Sequence, residues 1–203
     1  MQFSAVEREE TFLNRGVRRV EMRSFHTAII LRLAWLALLV YGLATEGIAL
    51  LLFNIVPFVG SAFILWLGKE RDEYATLDAL VSATFIAALT VELYMTWQTP
   101  GILAFDKLFH VLGGMCLAWF AAILYKPHID TRWMTAVAII TFALAVGAAW
   151  EVFEWAMSTL PAPYAWPFNP FGLADSFGDL IADTIGASVI AAVELWRRAK
   201  RAA

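Results

Sequence analysis

Of 203 residues, 61% are hydrophobic and only 16% charged, with a mean hydropathy of +0.67; soluble domains run at roughly 45–50% apolar and about 25% charged, so the residues that would face water are missing. This is the composition of a membrane protein. A net charge of −3, with the basic residues gathered at the termini and in short connections, leaves no basic patch for nucleic acid, and the single cysteine, Cys116, excludes a disulfide framework, a CxxC redox pair and a zinc knuckle.

A helix crosses the hydrocarbon core with about 20 mainly apolar residues. Six stretches qualify in chain order, near 28–44, 46–68, 76–98, 106–125, 132–158 and 178–196. The expected fold is therefore all-α: a polytopic six-transmembrane-helix bundle over 28–196, between a cytoplasmic N-terminal segment, 1–27, and a basic cytoplasmic tail, 197–203. Residues 1–24 are polar, with Leu13, Val17 and Val20 spaced for a short surface helix. No signal peptide is evident, because a charged segment precedes the first apolar run and more spans follow it, so span one stays as an anchor. Ala44-Thr45-Glu46-Gly47 makes a tight hairpin between spans one and two. The connection over 159–177 is broken by Pro161, Pro163, Pro167 and Pro170, which argues against a regular helix there and for a segment along the membrane interface, either a surface plug or a lid over a site.

Lys and Arg are retained on the cytoplasmic side of short loops. Arg15, Arg18, Arg19 and Arg23 precede span one, Lys69 and Arg71 follow span two, Lys126 and Arg132 flank the turn after span four, and Arg197, Arg198, Lys200 and Arg201 close the chain. The alternate connections hold only Lys107. An even number of spans with both termini in the cytoplasm satisfies this pattern, and a multi-pass place in a bacterial inner membrane is the expectation.

Charged residues within the spans fall at one level. Counting helix rise from the basic residue at each cytoplasmic boundary puts Asp106, His110, Glu151, Glu154, Asp179 and Asp183 about 21–33 Å away, near the outer face. Asp106 and His110 are spaced i,i+4, Glu151 and Glu154 i,i+3, and Asp175, Asp179 and Asp183 form an i,i+4,i+8 row, so each set occupies one helix face. Ionised groups facing lipid cost several kcal/mol, which turns these faces inward, and Gly113, Gly114, Gly178, Ala182 and Gly186 allow the helices to approach closely. With no internal Lys or Arg counted among them, the acids cannot all be ionised in a dry pocket. Either a divalent cation neutralises them, oxygen ligands suiting magnesium, calcium or manganese and the imidazole admitting zinc or iron, or some hold protons.

The remaining polar groups have plainer readings. Asp106, Asp175 and Glu154, nearest the water, serve equally well as helix-start or rim carboxylates, and Glu92 in span three is open to either reading. Arg32 snorkels to the cytoplasmic interface, Asn54 and Pro57 mark a helix distortion, Cys116 is a buried small hydrophobe, and Trp97, Trp150, Trp155 and Trp166 form an outer aromatic belt. His26 and His128 fall in cytoplasmic segments, so the bundle has no ligands for a bis-histidine haem.

The order Asp106-Lys107-Leu108-Phe109-His110 with Gly113-Gly114, then Trp150-Glu151-Val152-Phe153-Glu154-Trp155, then Gly178-Asp179-Leu180-Ile181-Ala182-Asp183 with Gly186-Ala187 resembles the uncharacterised bacterial inner-membrane YjdF-like family over spans four to six. More distantly it is similar to the VanZ-like family, which is associated with glycopeptide-antibiotic tolerance. The resemblance implies importance for these residues and no particular reaction. The Asp row is also similar to part of the metal-binding motif of CDP-alcohol phosphotransferases, but the upstream DG-x2-AR element of that family is absent.

Three functional classes follow. In the first, an outward-facing site binds a divalent cation through Glu151, Asp179 and Asp183, with His110 as ligand or general base oriented by Asp106 and Glu154 as a further acid, for metal-assisted chemistry on a lipid or envelope precursor. In the second, the same acids carry a cation or proton in transport, against which counts the uncharged run from Ala143 to Ala149. In the third, the carboxylates are interhelical hydrogen-bond partners in a structural membrane protein. The bilayer is the one partner all three share.

Overall fold

The computed structural model describes the backbone of residues 5–45, 48–67, 72–94, 102–161 and 172–202, and the side chains of most of these from Phe25 onward. The described residues are all-helical: α1 Ala5–Thr45, α2 Ile48–Leu67, α3 Asp72–Tyr94, α4 Ile102–Tyr125, α5 Arg132–Ser158 and α6 Leu173–Ala202. Five of these helices hold a stretch long and apolar enough to cross a membrane: Phe25–Thr45, Glu73–Val91, Ala104–Tyr125, Arg132–Ser158 and Leu173–Arg201. In α2 the described apolar stretch, Ile48–Phe63, is shorter.

Boundaries differ from the hydropathy reading where polar residues continue a helix beyond its apolar part. α1 is one 41-residue helix, about 60 Å long, so the polar N-terminal segment continues span one without a break. At the other end of the chain, α6 carries the basic residues 197–201 in its own last turns. It also starts earlier than the apolar pattern, at Leu173, just after Gly172, whose φ of 66° turns the chain. The Gly172 carbonyl accepts from the amides of Asp175 (3.0 Å) and Ser176 (3.4 Å), which opens the helix and seats Asp175 in its first turn, where its charge suits the helix dipole.

The helices pack as two trios. α4 and α6 share the largest interface and α5 lies against both, while α1, α2 and α3 form the second group, joined to the first through α3 and α4. Alanine dominates the first core: Ala118, Ala121, Ala122, Ala143, Ala187 and Ala191 surround Ile139, and such small residues let backbones approach in lipid, where helix association depends on close packing. Trp35, Leu39, Leu50 and Leu89 fill the second, with Phe58 and Phe85 against them. Cys116 lies half-buried in the α3–α4 seam near Tyr74, Leu77 and Ile123. Large apolar side chains such as Ile30, Leu33, Val152 and Ile181 point outward, as a lipid-facing surface requires.

At the end of the bundle where α4 stops and α5 begins, Arg198 ties α6 to the intervening turn. Its Nη1 donates to the Ile129 carbonyl at 2.9 Å and its Nη2 to that of Lys126 at 3.4 Å, while Nε bonds Glu194 at 3.1 Å. Carbonyls at a helix C-terminus have no partner within the helix, and a guanidinium supplies one. The opposite end, where α4 and α6 begin and α5 finishes, carries the acidic residues.

Candidate functional site

Helical spacing sets the side chains of this centre. On α4, Asp106 and His110 lie one turn apart on the face toward α6. On α6, Asp175, Asp179 and Asp183 form a ladder, and on α5, Glu151 and Glu154 share the inward face. All three Asp of the ladder and both Glu are buried. Side-chain exposure falls from 30% at Lys107 and 25% at Asp106 to 3% at Asp179 and 5% at Asp183, so the centre opens at the Lys107 end and closes toward His110.

Glycines create the space. A Cβ at Gly114 of α4 would lie 2.8 Å from Asp183 Cα and 2.9 Å from its carbonyl carbon, and one at Gly147 of α5 would strike the Asp183 carboxylate itself. One turn further, a Cβ at Gly186 would collide with the Val111 carbonyl and approach the Met115 amide to 2.9 Å. Of the small residues expected at this contact, Gly114 and Gly186 sit in it, while Gly113 faces open space.

His110 is enclosed by carboxylates. Its Nδ1 lies 3.4 Å from Asp183 Oδ1, and its Nε2 lies 3.4 Å from Asp179 Oδ1 and 3.9 Å from Glu151 Oε1. Both Glu151 oxygens are buried without a hydrogen bond of full geometry, with the Ser176 hydroxyl as a nearby donor. Glu154 is partnered within its own helix, Oε1 accepting from Trp150 Nε1 at 2.7 Å. One ligand atom each from Asp106, His110 and Asp179 fall within 4.8 Å of one another. Of the six residues singled out from the sequence, His110 thus has Asp106, Asp179, Asp183 and Glu151 around it, and Glu154 turns to Trp150.

The centre also contains a cation that the sequence reading placed outside it. Lys107 Nζ donates to Asp175 Oδ1 at 2.5 Å, Asp179 Oδ1 at 2.5 Å and Asp106 Oδ2 at 3.0 Å. The expectation of a cluster without internal Lys or Arg is therefore corrected. Because α4 starts at Ile102, Lys107 stands in its second turn, and its flexible stem reaches across to α6. The charge tally becomes six carboxylates (Asp106, Glu151, Glu154, Asp175, Asp179 and Asp183) against one ammonium and one imidazole.

A second buried polar group was missed. Arg32 does not snorkel: its Nε donates to Asp78 Oδ2 at 2.8 Å and its Nη2 to Asp78 Oδ1, while Nη2 also reaches Ser61 Oγ at 3.2 Å and Nη1 the Phe58 carbonyl at 3.5 Å. Asp78 is fully buried. The available signal was an acid and an arginine in different spans at similar depth, a combination that membranes rarely tolerate unpaired. Asn54 Nδ2 donates to the Leu50 carbonyl at 3.2 Å, one turn before the carbonyl that Pro57 leaves without an amide.

The aromatic residues divide. Trp155 faces outward, as a belt residue does, whereas Trp150 packs inside, 5.4 Å from Phe153 and 6.5 Å from Phe85 of α3. Trp97, Trp166 and the side chain of Glu92 lie outside the described residues.

A family model described as a predicted membrane protein family, DUF2238, matches residues 13–201, nearly the whole chain. The chain belongs to this family. The match spans both trios, so the DUF2238 unit includes the Arg32–Asp78 pair and the α4–α6 centre alike. No curated protein and no solved structure is matched.

Proposed function

We propose that the α4–α5–α6 centre of this DUF2238 membrane protein binds one divalent cation at the Nε2 face of His110. Metal-bound imidazoles generally present one nitrogen to the ion and donate the other N–H to a carboxylate. Asp183, opposite Nδ1, suits the second role, and Asp179 and Glu151 on the Nε2 side suit the first, with Asp106 converging on His110 and Asp179. This reading moves Asp183 from ligand to orienting partner. It rests on one observation above the others: Glu151 buries both carboxylate oxygens without a hydrogen bond of full geometry, Oε1 lying 3.9 Å from the imidazole and the Ser176 hydroxyl standing near as a donor. A mixed set of carboxylate oxygens with one imidazole nitrogen fits manganese, iron or zinc.

By the distribution of Lys and Arg, the open end of the centre faces outward from a bacterial inner membrane, with both termini in the cytoplasm. Likeness to the YjdF-like family, carried by the same three sequence elements, belongs to this reading. A cation there supplies Lewis acidity toward a phosphoryl or carbonyl oxygen of a lipid or envelope precursor. Passage of the ion through the protein is the weaker reading, because the run from Ala143 to Ala149, beyond Glu151 on α5, carries no charged residue.

Elemental analysis of protein purified in detergent, loaded with manganese, iron or zinc and washed, tests the proposal. One ion per chain in the wild type, lost in Glu151→Gln and in His110→Ala, is the expected result. A wild type that retains none of the three ions overturns it.

A further inference from the structure

Lys107 occupies the oxygens that the cation needs. Its three N–H donors are engaged by Asp106, Asp175 and Asp179, with the Asp175 carbonyl a fourth acceptor at 3.3 Å. Two of these carboxylates, Asp106 and Asp179, are the ones that converge with His110 within 4.8 Å. An ammonium and a divalent ion cannot share them at contact distance, since like charges a few ångströms apart in a buried setting repel by several kcal/mol. The seat of the ammonium is also shaped for it. The Lys107 stem crosses α6 at Gly178, where a Cβ would come within 3.0 Å of Cε and 3.5 Å of Nζ. A side chain at that position would crowd the Lys107 stem and require it to give by a few tenths of an ångström.

We infer that Lys107 is a tethered counter-cation, which fills the acidic centre in the ion-free protein and is displaced toward the open end when a divalent ion binds. This inference rests on the cation-binding reading above and adds the device that regulates it. Displacement is feasible because Lys107 is the most exposed member of the centre, on a stem with four rotatable bonds, and because Asp175, at the first turn of α6, is outside the group of three converging ligands and remains available to the amine. The consequence for affinity is direct. Part of the free energy of ion binding goes into breaking the Lys107 ion pairs with Asp106 and Asp179, so the lysine weakens ion binding while keeping the empty centre from holding an uncompensated row of acids.

Two measurements with manganese(II) in detergent test this. In the first, free-ion titration compares the wild type with Lys107→Met, which keeps the length of the stem and removes the charge, and with Lys107→Arg, which keeps it. Lys107→Met should bind manganese at least tenfold more tightly than the wild type, and Lys107→Arg no more tightly. In the second, which uses the wild type alone and so does not depend on how a variant folds, an amine-acylating reagent is applied at fixed pH and the modified lysines are quantified by mass spectrometry. Labelling at Lys107 should rise several-fold on adding manganese, with Lys126 and Lys200 unchanged. Manganese binding of equal strength in wild type and Lys107→Met, with Lys107 labelling unaltered, overturns it and leaves the cation site standing. Binding by neither form removes the site and this inference together.

Discussion

The Arg32–Asp78 pair makes the sharpest prediction about stability, because two readings of Arg32 give opposite results. A snorkelling arginine contributes little, and its replacement by Met would be nearly neutral. A guanidinium bound through two nitrogens to a fully buried carboxylate behaves otherwise. Removing either partner strands a charge between α1, α2 and α3, at a cost of about 3–5 kcal/mol. Arg32→Met and Asp78→Leu should each reach that range, and the Arg32→Met/Asp78→Leu double variant should recover most of it, since replacing a whole buried pair by apolar groups is close to neutral. Thermal unfolding in detergent, followed by circular dichroism, reads this out. At about 2–4 °C per kcal/mol for a chain of this length, each single variant should melt about 6–20 °C below the wild type, with the double variant near it. Single variants within about 2 °C of wild type, or losses that simply add in the double variant, would refute the account of a closed intramembrane pair.

Three other outcomes follow from the geometry. Gly147→Ala places a methyl group against the Asp183 carboxylate and should weaken manganese binding at least tenfold, whereas Gly113→Ala, which meets nothing within 4 Å, should bind as the wild type does; equal titration curves for the two would sink the packing argument. Asp183→Asn keeps the volume but alters the partner of Nδ1, and affinity measured by the same titration should fall about 10–100-fold, the range found when the carboxylate behind a metal-bound histidine is removed. For orientation, a fluorescent protein that matures only in the cytoplasm, fused after Ala203, should fluoresce, and a periplasmic phosphatase fused at the same point should be inactive; the reverse pattern would place the acidic centre on the cytoplasmic side.

Much of this arrangement was legible in the sequence, for reasons that can be stated residue by residue. The helices follow from runs of apolar residues long enough for a bilayer. The faces follow from helical period, which is why Asp106, His110, Asp179 and Asp183 could be grouped before any coordinates. Helix ends were less legible: hydropathy reports where lipid ends, while hydrogen bonding carries α1 back to Ala5 and α6 forward to Ala202. Partner choice was least legible. Lys107 is one residue from Asp106, a spacing that helical geometry turns sideways, and only the reach of its stem brings the ammonium to α6. Arg32 and Asp78 are 46 residues apart, and nothing in periodicity links them. The role of Gly147 depends on which atom of which neighbour stands opposite.

The two polar centres differ in a way that bears on where a ligand can act. Beside Arg32 and Asp78 the orphaned groups, Trp35 Nε1 and Ser82 Oγ, are neutral, and both oxygens of the single carboxylate are taken. Such a pair has nothing left to offer a charged ligand without first breaking itself, so its work is to hold α1, α2 and α3 together. The α4–α6 centre is in the opposite condition. Its acids outnumber its cations, its Glu151 oxygens are buried without a hydrogen bond of full geometry, and the one ammonium that satisfies several of its carboxylates stands at the opening on a flexible tether. Burying that excess opposes folding, and the glycines at 114, 147 and 186 that make room for it each forgo a side chain in a close helix contact. A purely structural role for the carboxylates could be met by a balanced pair like the one between α1 and α3. A surplus of carboxylates is relieved either by protons on some of the acids or by a positive partner from outside the chain, and the cation-binding proposal takes the second course.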